Sequence, residues 1–274
     1  MTHTEAPAGS TGISATSSPT PATIRTPRPS PLPQRAAQRV SAGGWRGIPQ
    51  WQPRWVPSVG LGAPLTETDI IHAANYQRRS ELFPGWREVL VARLGLRRGD
   101  TVIDVGAGPG LNFAALRAAV GPSGTIIGIE ESPRLLAVAA AQVARRGWDN
   151  VELINAAASR VNLSLHAAAA LFAAVPQVLA NPQAVTNIIG QLRAGARVAA
   201  GGWKTPSSPW LWPLRVCITA WQRPQMGELT DFSQPWRLLS THVSGLQIRE
   251  LGFGTAYLAT ATVASPPSEH PRPR

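Results

Sequence analysis

The chain has 274 residues, 43 % of them hydrophobic, enough for one large domain with a real core and too apolar for disorder throughout. A single cysteine, Cys217, excludes an internal disulfide, and no Cys/His cluster has metal-ligand spacing, so neither a disulfide scaffold nor a metal site is expected. The net charge of +11 points to an anionic partner, but residues 1–64 hold six arginines against one acid, Glu5, set singly among Pro, Ser and Gly, and Lys204 is the only lysine; without a basic run or recognition motif, no nucleic-acid partner is expected.

Residues 1–64 show neither a period of 2 nor one of 3.6 and are expected to form a disordered tail. The tail lacks the apolar segment of a secretory signal, which makes the cytoplasm the expected location. Pro27–Pro33 favours polyproline II, as a spacer or a docking ligand, and Trp45, Trp51 and Trp55 point to packing on the domain or on a partner. The folded domain is expected over 65–264. Thr66 to Asp69 supplies cap chemistry for a helix reaching Arg79, and Pro84 opens a second with Trp86, Val89, Leu90 and Leu94 on one face. Strands are predicted at 101–106, 125–130, 151–155, 168–173 and 196–202, with helices near 110–120, 133–146 and 181–192. This alternation predicts an α/β fold, a doubly wound, mostly parallel sheet. Segments 247–253 and 255–264 read as a C-terminal antiparallel hairpin turning near Gly254, and 265–274 as a second disordered tail. No run approaches the roughly 20 apolar residues that span a bilayer.

The segment Thr101-Val-Ile-Asp-Val-Gly-Ala-Gly-Pro-Gly110 places a buried strand before a glycine-rich turn and a helix, a nucleotide-binding geometry. A tight turn without a ligand is the plainer alternative. The third glycine comes one residue earlier than in the dinucleotide fingerprint, with Leu111 at the dinucleotide position, which disfavours a nicotinamide oxidoreductase. Asp104 would repel a pyrophosphate but suits a cationic amino acid. The next strand ends in Glu130-Glu131, where a carboxylate can accept both hydroxyls of a ribose.

On this D-x-G-x-G-x-G motif and the acid ending the next strand, residues 85–200 resemble the Rossmann-like, class I S-adenosylmethionine-dependent methyltransferases. The resemblance implies S-adenosylmethionine as cofactor, with Asp104 and the backbone of Gly106, Ala107, Gly108 and Gly110 lining its methionine part and Glu130, beside Glu131, holding its ribose. It also implies an antiparallel seventh strand within 247–264. Asn112 is similar to polar residues at that helix start, or is a local cap. After the third strand, where the family commonly has an acid reading adenine, only Asn155 is available. After the fourth, the chain offers Ala173-Ala-Val-Pro-Gln177 with no obvious general base. Candidates for proton transfer are Tyr76 and His166, then His72 and Glu81. A segment rich in tryptophan, 203–236, with Trp203, Trp210, Trp212, Trp221, Trp236, Arg215 and Arg223, is expected on the acceptor side, as an apolar lid, a peripheral membrane contact or a packed subdomain. The expected function is methyl transfer to a small-molecule or lipid-like acceptor. The alternative, supported by the alanine-rich strand ends, is a protein that binds the cofactor without turnover.

Overall fold

The computed structural model describes residues 66–206, 210, 212–213, 216 and 232–264, all within one compact unit, Arg54–Arg274. The expected tails, Trp45, Trp51, Trp55, Trp221, Arg215, Arg223 and Cys217 lie outside the described residues.

Thr66 caps α1 (Glu67–Ser80) in a reciprocal box: its hydroxyl accepts from the Asp69 backbone N–H, and Asp69 accepts from that of Thr66. Gly85 opens α2 (Trp86–Ala92). Then come β1 (Thr101–Val105), α3 (Phe113–Val120), β2 (Thr125–Glu130), α4 (Pro133–Arg146) and β3 (Val151–Asn155). Ser132 caps α4, Pro133 fills its first turn, and Gly147 ends it in the left-handed conformation. β4 (Ala167–Ala173), α5 (Pro176–Leu179), α6 (Pro182–Gly190) and β5 (Leu192–Trp203) follow, and β6 (Val243–Leu251) and β7 (Ala256–Val263) complete the sheet.

The seven strands run in the order β3-β2-β1-β4-β5-β7-β6. The first five are parallel, and β7 enters antiparallel between β5 and β6. Alternation along each buried strand divides its side chains between two cores. Val102, Leu171, Trp86, Leu90 and Phe113 pack on one face of the sheet, and Ile103, Val105, Phe172 and Ile188 on the other. Among the described residues no helix is long and apolar enough to cross a membrane.

Several boundaries depart from expectation. The helix expected at 110–120 starts at Phe113, because Gly110 to Asn112 still belong to the turn. The helix expected at 181–192 ends at Gly190, since Leu192 already pairs with Ala167 and β5 begins there. Val89 is 39 % exposed, outside the apolar stripe of α2. The hairpin strand expected at 247–253 starts earlier, at Val243, and ends at Leu251.

Candidate cofactor and active site

Strand order reverses between β1 and β4, so the crevice of a doubly wound sheet falls at their carboxyl ends. The turn Gly106–Gly110 rises there from β1, and Ala173 to Pro176 from β4. Gly106 and Gly108 have φ of 66° and 57°, a region that disfavours any side chain. The two loops also touch. A Cβ on Gly106 would lie 2.4 Å from Val175 Cγ1, and one on Gly108 would lie 3.0 Å from the Tyr76 ring. The need for glycine is therefore met first by the protein's own packing: Val175 presses on the turn and Tyr76, on α1, roofs it.

The backbone N–H groups of the turn are largely engaged within the chain. Ala107 donates to the Ile129 carbonyl at 2.9 Å, and Gly110 donates to Ala107 at 3.0 Å. Gly108 donates to Glu130 Oε2 at 2.9 Å, while Ser132 donates to Oε1 at 2.8 Å. The negative group that the turn receives is thus Glu130, buried at the end of β2 with backbone donors on both oxygens and lone pairs remaining. Burial raises its pKa, and the N–H groups of Ser132 and Gly108 oppose the rise.

Asp104 is wholly buried near the end of β1. Asn112 Nδ2 donates to its two oxygens at 2.8 and 3.1 Å, yet burial dominates and pushes its pKa up to about 7. Asn112 makes no side-chain cap on α3; it clamps Asp104 instead. Its own oxygen accepts from Arg87 Nη1 at 2.9 Å, and Arg87 Nη2 donates to Ser80 Oγ at 2.7 Å. Tyr76 is half-buried as a residue, and burial around its hydroxyl pushes its pKa up to about 12. The charges of Arg87, Glu130 and Asp104 all act on that hydroxyl, so the four groups form one electrostatic cluster.

The other candidates fall elsewhere or act differently. His166 is exposed and precedes β4, at the amino end of the parallel sheet, opposite the crevice. His72 is exposed on α1, and Glu81 forms that helix's C-terminal cap. Asn155 lies at the end of β3, but its amide donates to the carbonyls of Glu130 and Glu131 at 2.9 and 3.1 Å, tying two strand ends together. The Glu131 side chain is exposed. The tryptophans do not share one environment. Trp236 is buried, 5.2 Å from the Tyr257 ring, whereas Trp210 and Trp212 are 91 % and 67 % exposed. Sequence reasoning missed Arg87 and Ser80. One signal was available: Arg87, Leu90, Val91 and Leu94 fall on one helical face, so the arginine interrupts an apolar stripe.

Residues 84–200 match the family model described as protein-L-isoaspartate(D-aspartate) O-methyltransferase. The fold is similar to that of the N-methyltransferase NodS from Bradyrhizobium japonicum in its complex with S-adenosylhomocysteine, with a TM-score of 0.54, 14 % identity and coverage of 72 % of this chain and 97 % of that one. Over residues 84–200 the chain thus matches a methyltransferase family, and its fold is that of the class I S-adenosylmethionine-dependent methyltransferases. It is also similar to protein-L-isoaspartate O-methyltransferase 2 of Archaeoglobus fulgidus (42 % identity over 66 residues, 24 % of this chain) and to demethylmenaquinone methyltransferase of Geobacillus kaustophilus (37 % over 70 residues, 26 % of this chain). The matched stretch spans only 30 % of the length of either relative.

Proposed function

We propose that the chain binds S-adenosylmethionine at the carboxyl ends of β1 and β2 and transfers its methyl group to an apolar, lipid-like acceptor. Two carboxylates in the crevice support the cofactor reading: Glu130 keeps lone pairs for the ribose hydroxyls, and Asp104 supplies a buried carboxylate suited to a cationic amino acid, on either side of the glycine turn that Val175 and Tyr76 hold in place. When bound, the cofactor supplies an activated methyl on a sulfonium leaving group. The chain's part is to bind and align, and alignment alone is worth roughly 7 to 11 kcal/mol of a barrier when the reacting atoms are held in line.

The observation that carries the acceptor class is the end of β4. Ala173, Ala174, Val175 and Pro176 line it with apolar groups, and the first polar side chain is Gln177. Such an end favours an acceptor that needs positioning more than deprotonation, and the exposed Trp210 and Trp212, which follow β5 in sequence, supply further apolar surface. The Geobacillus relative's name refers to a lipid quinone precursor, in keeping with that class.

The test is production of S-adenosylhomocysteine from S-adenosylmethionine with a demethylmenaquinone kept chemically reduced to its electron-rich quinol in detergent micelles, where the ring carbon takes the methyl and gives up its proton to solvent, and, in parallel, with an isoaspartyl peptide. Turnover is expected with the quinol. Turnover with the peptide alone would refute the lipid-like class while leaving the cofactor reading intact.

A further inference from the structure

Among the described side chains of helix α1 only Ala73 and Ser80 are buried, and Ile71 is 53 % exposed. A helix of 14 residues is marginal by itself and depends on tertiary contacts to stay docked. One such contact is polar and buried. Arg87, 8 % exposed, stacks on the Trp86 ring at 4.5 Å and extends its planar fork in two directions. Nη2 reaches Ser80 at the end of α1, and Nη1 reaches Asn112, which clamps Asp104. Ser80 and Tyr76 are four residues apart and share one helical face, so whatever holds Ser80 also holds Tyr76 over Gly108. Arg87 Nε has no hydrogen-bond partner among the described residues, a cost that an ordinary packing position would not carry. An apolar residue would avoid that cost. A lysine, a single point charge, would not span both acceptors with a rigid fork.

We propose that Arg87 is a positioning residue that latches α1, with Tyr76, onto the glycine turn, and thereby couples the order of α1 to cofactor binding. The latch itself requires no ligand; the coupling rests on the cofactor reading above. Because the same network ends on Asp104 beside the turn, a ligand that fixes Asp104 and Asn112 also fixes the Arg87 fork, and by linkage a docked α1 favours the ligand.

Hydrogen exchange of the full chain, with and without S-adenosylhomocysteine, tests both halves on Ser80→Ala, Arg87→Met and Arg87→Lys. Ser80→Ala removes only the acceptor on α1 and leaves the sheet side of the network intact. In the protein without ligand, it and Arg87→Met are expected to speed exchange across 67–80 about tenfold or more, the scale of a lost hydrogen bond to a charged group, with β1 and β4 unchanged. S-adenosylhomocysteine should slow α1 exchange in the natural chain, fail to do so in Arg87→Met, and retain part of the effect in Arg87→Lys. Unchanged α1 exchange in Ser80→Ala and Arg87→Met, or an equal rise in α1 and the sheet, overturns the latch. Full ligand protection of α1 in Arg87→Met overturns the coupling. If the natural chain does not bind S-adenosylhomocysteine, the cofactor reading and the coupling with it fail, while the measurements without ligand still decide the latch.

Discussion

Replacing Asp104 by asparagine isolates the energetic cost of the buried carboxylate. Its pKa rises from 3.8 to about 7 on folding, chiefly through burial. An acid raised in this way binds its proton more tightly in the native state, so the natural chain is most stable below about pH 4 as far as this group is concerned. It loses stability as pH climbs to about 7, and carries the full penalty above. Integrating between those values gives a penalty of roughly 2 kcal/mol at pH 5 and roughly 4 at pH 8, a difference of about 2 to 3 kcal/mol. Asp104→Asn removes the titration, and its amide oxygen can still accept from Asn112. The advantage of the variant over the natural chain should therefore grow from pH 5 to pH 8, by about 5 to 10 °C in melting temperature for a domain of this size. Thermal melts of both proteins at the two pH values measure it, and groups common to both cancel in the comparison. An advantage that stays constant or shrinks with pH would refute the account of Asp104 as a desolvated acid.

The same carboxylate predicts that affinity for S-adenosylmethionine rises between pH 5 and 8, because a cationic ligand favours ionised Asp104. Calorimetry in two buffers of different ionisation enthalpy should show proton release at pH 6, and pH-independent binding would exclude a direct charge interaction. Glu130→Ala removes the acceptor for Gly108 and Ser132 together with the ribose site, so cofactor affinity should fall about 10- to 150-fold; equal affinity in a normally folded variant would show that this carboxylate does not hold the ribose. Gly106→Ala should destabilise the chain by about 1 to 3 kcal/mol through strain and the clash with Val175. Adding Val175→Ala should relieve the clash and leave the φ cost, and denaturant titration of the two variants separates the contributions.

Elements whose cause is local were legible in the sequence. Thr66 with Asp69 announces its helix because a cap acts within four residues, and the buried strands announce themselves through continuous apolar runs. Asp104, the glycine turn and Glu130 were legible for the same reason: strand, turn and strand-end acid are consecutive pieces of one unit. Arg87 was not read, because its meaning depends on Asn112, 25 residues away, and on a helix packing outside that unit. His166 could have been set aside from the sequence: it precedes the strand read at 168–173, which in a parallel sheet puts it at the amino end, away from the crevice. Asn155 was placed at the right strand end, but its amide is engaged by backbone carbonyls, a competition that residue type does not reveal.

The position of β7 also orders events during synthesis. Among the described residues β6 pairs only with β7, and β5 receives its second neighbour only when β7 arrives. A growing chain can assemble the parallel half from β1 to β5 early, but it must leave one edge of β5 bare and β6 unpaired until residues 256–263 clear the ribosome exit. An exposed strand edge invites pairing with another chain, so the interval before β7 is made is the period of greatest aggregation risk. A message truncated just before Ala256 would lose two strands from the sheet although it lacks the codons for only one.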